Sequence, residues 1–218
     1  MRRSRTDACR AAARLTALVL AACGATPAAP VAPSCPAGAV VLASQADLAR
    51  LARCTTLPGV TIRSGAALDT SVLRALATIT GDLVIGPTVG VEQITLGELR
   101  VVGGAIHVVG NGLMQGLFLP RLERAGRIEV DGNVAITTIS LPRLTAVGGV
   151  MQITDNASLE LVDMPRLATI GQALVLTGDP QLTLVEAAAL QTTASVTLEL
   201  PALPPDLADQ LRATAAAR

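Results

Sequence analysis

Arg121, Arg143 and Arg166 each follow a proline, in Leu-Pro-Arg, Leu-Pro-Arg and Met-Pro-Arg, at one position of a recurring pattern. A guanidinium offers a planar fork of donors that grips phosphate or carboxylate in two places. A row of them, one per repeat, is therefore a candidate strip for an anionic ligand such as a lipid phosphate or an acidic polymer. Like charges so close repel unless offset; Glu98 stands in the same column one repeat earlier, and Glu123 lies close by. The single histidine, His107, sits between Ile106 and Val108, on an outward line with Glu129 and Gln152. That line offers too few ligands for a metal. Asn111, Asn133 and Asn156 form another column, which begins at Thr88 and ends at Asp179. Inward asparagines bond the backbone of their own corner and of adjacent turns, so this column reads as a structural ladder. Asp131, Asp155 and Asp179 are explained by turn geometry. No Ser-His-Asp or Cys-His constellation is evident, and Trp and Tyr are absent. The expectation is a protein that is not an enzyme, with no catalytic residue, no metal and no cofactor.

What places these residues is a repeat. GAIHVVGNGLMQGLFLPRLERA, GRIEVDGNVAITTISLPRLTAV and GVMQITDNASLELVDMPRLATI superpose, their first apolar residues being Ile106, Ile128 and Met151. The frame extends back to Leu83 and Val60 and forward to Leu174 and Val196, with a period of 22 to 23 residues. A period of that length means a solenoid. Within one turn, Ile128-Glu129-Val130 alternates as a short strand does. Asp131-Gly132-Asn133 turns the chain, a second apolar group follows at Ile136, Ile139 and Leu141, and a third at Leu144 and Val147. Each turn thus holds about three short strands and cannot bury its apolar set alone. Neighbouring turns stack about 4.8 Å apart and share one core. The fold class expected is all-β: a right-handed β-solenoid of about six to seven turns, with a short capping helix at each end. Near-absence of aromatics, with Phe118 the only one, agrees with a narrow interior filled by Leu, Ile and Val.

Around the repeats, the chain divides into three parts. Residues 1–22 form a signal peptide: Arg2, Arg3, Arg5, Arg10 and Arg14 precede the apolar run LTALVLAA, which is too short to span a bilayer. The run ends in Leu20-Ala21-Ala22-Cys23-Gly24, which resembles the bacterial lipobox and implies a lipid on Cys23 as membrane anchor. Gly24, rather than Asp, implies outer-membrane delivery by the enterobacterial sorting rule. Residues 23–34 are an Ala/Pro-rich, semi-rigid tether. The repeat domain fills 35–218, with an N-terminal cap over 35–58, repeats over 59–200 and a C-terminal cap over 201–218. Without residues 1–22 the chain keeps 12 Arg against 16 acidic residues and has no basic run, so nucleic acid is not an expected partner.

Cys9 leaves with the signal and Cys23 takes lipid, so Cys35 and Cys54 remain. An exported domain holds such a pair as a disulfide. Between them, Ser44-Gln45-Ala46-Asp47 is a capping-box pattern with Asp at N3, followed by Leu48, Leu51 and Ala52 on one helical face. Pro204-Pro205-Asp206 opens an Ala-rich helix through Leu207 and Leu211.

Cys35, a short helix and Cys54, then Gly81, Gly104, Gly126 and Gly149, the Asn column, and Leu119-Pro120, Leu141-Pro142 and Met164-Pro165, resemble the receptor L domain. That family includes the ligand-binding lobes of insulin- and growth-factor-type receptors and GPI-anchored fungal cell-wall proteins; leucine-rich repeats are near it in pattern. The resemblance covers residues 35 to about 200 and is one of scaffold, so it transfers no functional residue. It implies a binding or adhesion role toward a protein or anionic envelope ligand. A purely structural envelope spacer and a β-helix carbohydrate-active enzyme are the rival readings.

Overall fold

The computed structural model describes residues 35–191 and 193–216. The expected signal peptide, Cys23 and the expected tether lie outside the described residues.

Eight parallel strands build the first face: Val40–Leu42, Val60–Ile62, Leu83–Ile85, Val101–Val109, Arg124–Asp131, Met151–Thr154, Ala173–Thr177 and Ser195–Glu199. Val40, Val60, Leu83, Ile106, Ile128, Met151, Leu174 and Val196 stand in mutual register along it. Five further strands, Gln93–Thr95, Gly116–Phe118, Thr138–Ser140, Leu161–Asp163 and Leu184–Glu186, build the second face. Thr78–Ile79 and Ala146–Val147 pair with the leading residues of the first-face strands Val101–Val109 and Arg124–Asp131, and Thr169–Ile170 pairs with Ala146–Val147, which makes a narrow third face. The chain is thus a β-solenoid of about seven turns, three faces to the turn. Stacking lets each turn's backbone bond its neighbours while its alternate side chains point inward. In the turn from Ile128, the residues Ile128, Ile136, Ile139, Leu141, Leu144 and Val147 are all buried.

One corner has no room for side chains. A Cβ on Gly126 would lie 2.6 Å from the carbonyl oxygens of both Gly103 and Gly104. Glycine is therefore what lets successive turns close up between the third and first faces.

The N-terminal boundary differs from expectation. Residues 35–58 are not only a cap, because Val40–Leu42 and Thr56–Leu57 already pair in the parallel sheets. The first coil is a repeat in which helix α1 (Gln45–Leu51) takes the place of a second-face strand. In the second coil a 3₁₀ turn, Thr70–Leu73, takes that place, so the second face begins only at Gln93. Thr70 Oγ1 closes that edge by accepting from the Thr95 amide at 3.1 Å. Helix α1 carries the expected reciprocal capping box between Ser44 and Asp47, and buries Leu48 and Leu51. The Cys35–Cys54 disulfide closes the coil behind it.

At the other end, the last first-face strand, Ser195–Glu199, buries none of its residues fully. Helix α2 (Pro205–Ala216) packs against this coil and buries Ala208 and Leu211. Both ends of the apolar interior are thus covered, as a solenoid requires.

Candidate functional site

Each proline-arginine step is a tight corner between the second and third faces. The amide of Leu122 donates to the Leu119 carbonyl at 3.1 Å, that of Leu144 to Leu141 at 3.0 Å, and that of Leu167 to Met164 at 3.0 Å. Both ends of every corner are buried. The residue before the second leucine therefore projects outward, and Arg143 and Arg166 are exposed.

The three arginines of the column are not equivalent. Arg121 is ion-paired with Glu98, one turn earlier. Glu123 is also engaged, by Arg100 at 3.3 Å. Arg143 and Arg166 instead meet a third cation, Arg124, the leading residue of the strand Arg124–Asp131. With Glu123 and Thr145 they line a shallow depression of about 430 Å³. The next residue in register with Arg124 is Ala146, and the one after is Thr169, so nothing large shields its guanidinium from that side. Among the described residues, none of Arg124, Arg143 and Arg166 has a carboxylate within ion-pair distance. Thr145 Oγ1 donates to the Glu123 carbonyl at 2.9 Å, so its hydroxyl hydrogen is already used. The depression holds three guanidinium groups against one carboxylate that Arg100 already shares. It suits an anion with two or more charges, or a chain that carries them in series.

Arg124 was not singled out from the sequence. Its position, two residues after the buried leucine, holds Val101, Ala146 and Thr169 in neighbouring turns, so no column of like residues marks it. The usable signal was alternation: Ala125 is buried, which puts Arg124 outside.

His107 lies in register with Glu129, which lies in register with Gln152. Its Nδ1 is 3.0 Å from Glu129 Oε2, and Arg127 approaches the same oxygen at 3.6 Å. All three side chains are partly exposed, so the Arg127–Glu129 pair and the His107–Glu129 contact carry small energetic weight.

The Asn column is wholly buried. Asn111 Nδ2 donates to Asn133 Oδ1 at 2.8 Å, Asn133 Nδ2 to Asn156 Oδ1 at 2.9 Å, and Asn156 Nδ2 to Asp179 Oδ1 at 3.0 Å. Backbone amides of Asn111, Asn133 and Asn156 donate to the same oxygens. Thr88 begins the ladder by donating from its amide and hydroxyl to Asn111 Oδ1. Asp179 ends it, and among the described residues its Oδ2 is a buried side-chain atom with no partner. Burial holds the Asp179 carboxyl above the usual carboxylate range; bonds from Asn156 oppose this, and the charges of Asp155 and Asp131 add to it.

No protein-family model matches the chain, and no curated protein or solved structure was found to be similar to it.

Proposed function

We propose that this chain is a non-catalytic lipoprotein of the bacterial cell envelope, anchored through Cys23, whose solenoid presents Arg124, Arg143 and Arg166 to an anionic partner. One observation carries the binding half of this reading: three guanidinium groups from adjacent turns share a depression without a carboxylate of their own. Exposed cations normally cost nothing to leave in water, yet here the neighbouring Arg100 and Arg121 are each matched with an acid. Among the described residues Arg53, Arg63 and Arg74 also lack an acid partner; Arg124, Arg143 and Arg166 differ in lining one depression together. The lipobox-like end of the signal segment and the Ala/Pro-rich tether support the envelope half, and resemblance of the repeats to receptor L domains supports a presenting role.

The test is a titration of the full-length protein with long-chain polyphosphate and with polygalacturonate, at low and at physiological ionic strength. Binding should fall as salt rises. The variant Arg124→Gln/Arg143→Gln/Arg166→Gln should keep its circular dichroism and melting profile, because all three side chains face solvent. It should lose most of the affinity and most of the salt dependence. Equal binding by the variant and the parent would move the site elsewhere; absence of binding in the parent would leave the spacer reading.

A further inference from the structure

The second face carries a different chemistry, on residues that the arginine site does not use. Phe118, the only Phe among 218 residues that include no Tyr or Trp, is on its outward side, in register with Thr95 and Ser140, while Leu117 beside it points into the core. Its ring folds back along its own strand over Gly116. A Cβ on Gly116 would lie 2.2 Å from Phe118 Cε2 and 2.6 Å from Cζ, so the ring occupies the space that any other residue would fill. The glycine is buried although it sits at an outward position, because the ring covers it.

Around this ring the turns place amides, a carboxylate and a hydroxyl. Gln93 is in register with Gly116. Glu92, Gln115 and Thr137 occupy the position just before it on three successive turns, linked by the Gln115 amide to the Glu92 carbonyl at 2.7 Å and the Thr137 amide to the Gln115 carbonyl at 2.9 Å. The six residues line a depression of about 230 Å³. This is below the range of about 300–1,000 Å³ typical of drug-sized ligands and leaves room for roughly one ring at a time along an open surface. The side chains of Glu92, Gln93 and Gln115 make no hydrogen bond among the described residues, so their donors and acceptors remain available. Thr137 is committed through its hydroxyl hydrogen to the Gln115 carbonyl at 3.1 Å, which leaves its oxygen as an acceptor.

From this arrangement we infer that the second face binds neutral pyranose units, the ring of Phe118 receiving the C–H face of a sugar and Glu92, Gln93 and Gln115 its hydroxyls. Two physical reasons favour this class. A pyranose with equatorial hydroxyls has an apolar flat side and a polar rim, which matches one aromatic face encircled by uncommitted amides. The outward positions of this face carry Glu92, Glu160, Asp163 and Glu186 and no arginine, so an anionic sugar is repelled there, whereas the arginine depression would attract it. Stacked turns also repeat the polar position at about 4.8 Å, so a linear oligosaccharide can extend along the stack from Phe118.

The chain supplies its own reporter. Phe118 and His107 are the only residues with aromatic ring protons in the sequence. Chitohexaose and cellohexaose, titrated into the full-length protein, should shift the Phe118 ring protons in the NMR spectrum and leave those of His107 in place. Affinity measured by calorimetry should fall about tenfold in Phe118→Leu, which retains an apolar side chain but not the ring. Gln115→Ala should weaken binding while its melting curve stays with that of the parent, and the triple arginine variant should bind these sugars unchanged. The inference is overturned if neither sugar moves the Phe118 signals, or if Phe118→Leu binds as tightly as the parent. Loss of sugar binding in the triple arginine variant would also overturn it, by placing the sugar in the other depression.

Discussion

Replacing Asp179 with Asn changes one atom in a site already shaped for the replacement. In Asn111, Asn133 and Asn156, Nδ2 donates to a carbonyl of the preceding turn: Ile85 at 3.1 Å, Val108 at 2.9 Å and Val130 at 3.1 Å. Asn133 and Asn156 also donate to the carbonyl two residues back, of Asp131 and Thr154. By the same register the carbonyls corresponding to these at position 179 are those of Ile153 and Thr177. An oxygen without a proton would meet only acceptors there, and among the described residues Oδ2 has no partner. An orphaned buried polar atom costs about 1–3 kcal/mol. Asp179→Asn should therefore stabilise the protein by about that amount at pH values above the folded carboxyl's pKa, where Oδ2 carries no proton; for a domain of this size that is on the order of 3 °C in Tm per kcal/mol.

The pH dependence carries the sign of a raised carboxyl. Its unfolded value is the ordinary 3.8, and the folded value lies above that. Below the unfolded value the carboxyl is protonated in both states, Oδ2–H can donate as Nδ2 does, and the contribution to stability is complete. As pH rises through the folded value that contribution is lost. Thermal melts followed by circular dichroism, from acid to mildly alkaline pH, should show parent and variant converging at low pH and separating as pH rises through the folded value. Asp47 and Asp69, whose carboxyls are held below the usual range mainly by hydrogen bonds from Ser44 and Ser71, titrate alike in both proteins and cancel in the difference. A variant no more stable than the parent at any pH in this range, or a gap that stays constant on acidification, would refute the reasoning.

Two further outcomes follow from the frame and from the anchor. Ile128→Asp puts an unpaired charge at a position that is 1% exposed and should cost on the order of 4 kcal/mol; Glu129→Ala, one residue along, removes only partly exposed pairs with His107 and Arg127 and should cost less than about 1 kcal/mol. Denaturant melts compare the two, and equal losses would contradict the inward and outward assignment. Cys23→Ser should abolish incorporation of labelled fatty acid and move the protein from the membrane to the soluble fraction; a parent chain that is itself unlabelled would remove the anchor from the proposal.

Most of the solenoid could be read from the sequence because burial acts on every turn in the same way. Leu99, Leu122, Leu144 and Leu167 recur because each fills the same slot against its neighbours, and all four are inaccessible to solvent. The Asn ladder was legible for the same reason, since each rung must bond the next. Where a turn stops obeying the period, the pattern goes silent. Val40 stands 20 residues before its register partner Val60, not 22 or 23, because α1 fills the second-face side of that coil. A strand of three residues beside a helix and a disulfide then reads as cap. The end of the ladder is equally local: two residues beyond Glu199, in step with Asp179, stands Pro201, whose side chain carries no acceptor to continue it.

The arginine site shows the opposite limit. Outward columns are released from packing, so a shared column states only that side chains are stacked, not what they touch. Arg121, Arg143 and Arg166 look alike in sequence, yet the turn before each decides its state: Arg121 follows Glu98, whereas Arg143 follows Arg121 and Arg166 follows Arg143. A carboxylate one turn earlier is used up by the first arginine it meets, and the later ones are left with cations as neighbours. Charge on such a strip therefore builds up in the direction of the chain and is largest where Arg124 joins Arg143 and Arg166 from the adjoining face. If this gradient directs binding, Glu98 also matters: it keeps Arg121 from extending the strip, and it limits a ligand to the depression instead of the whole column.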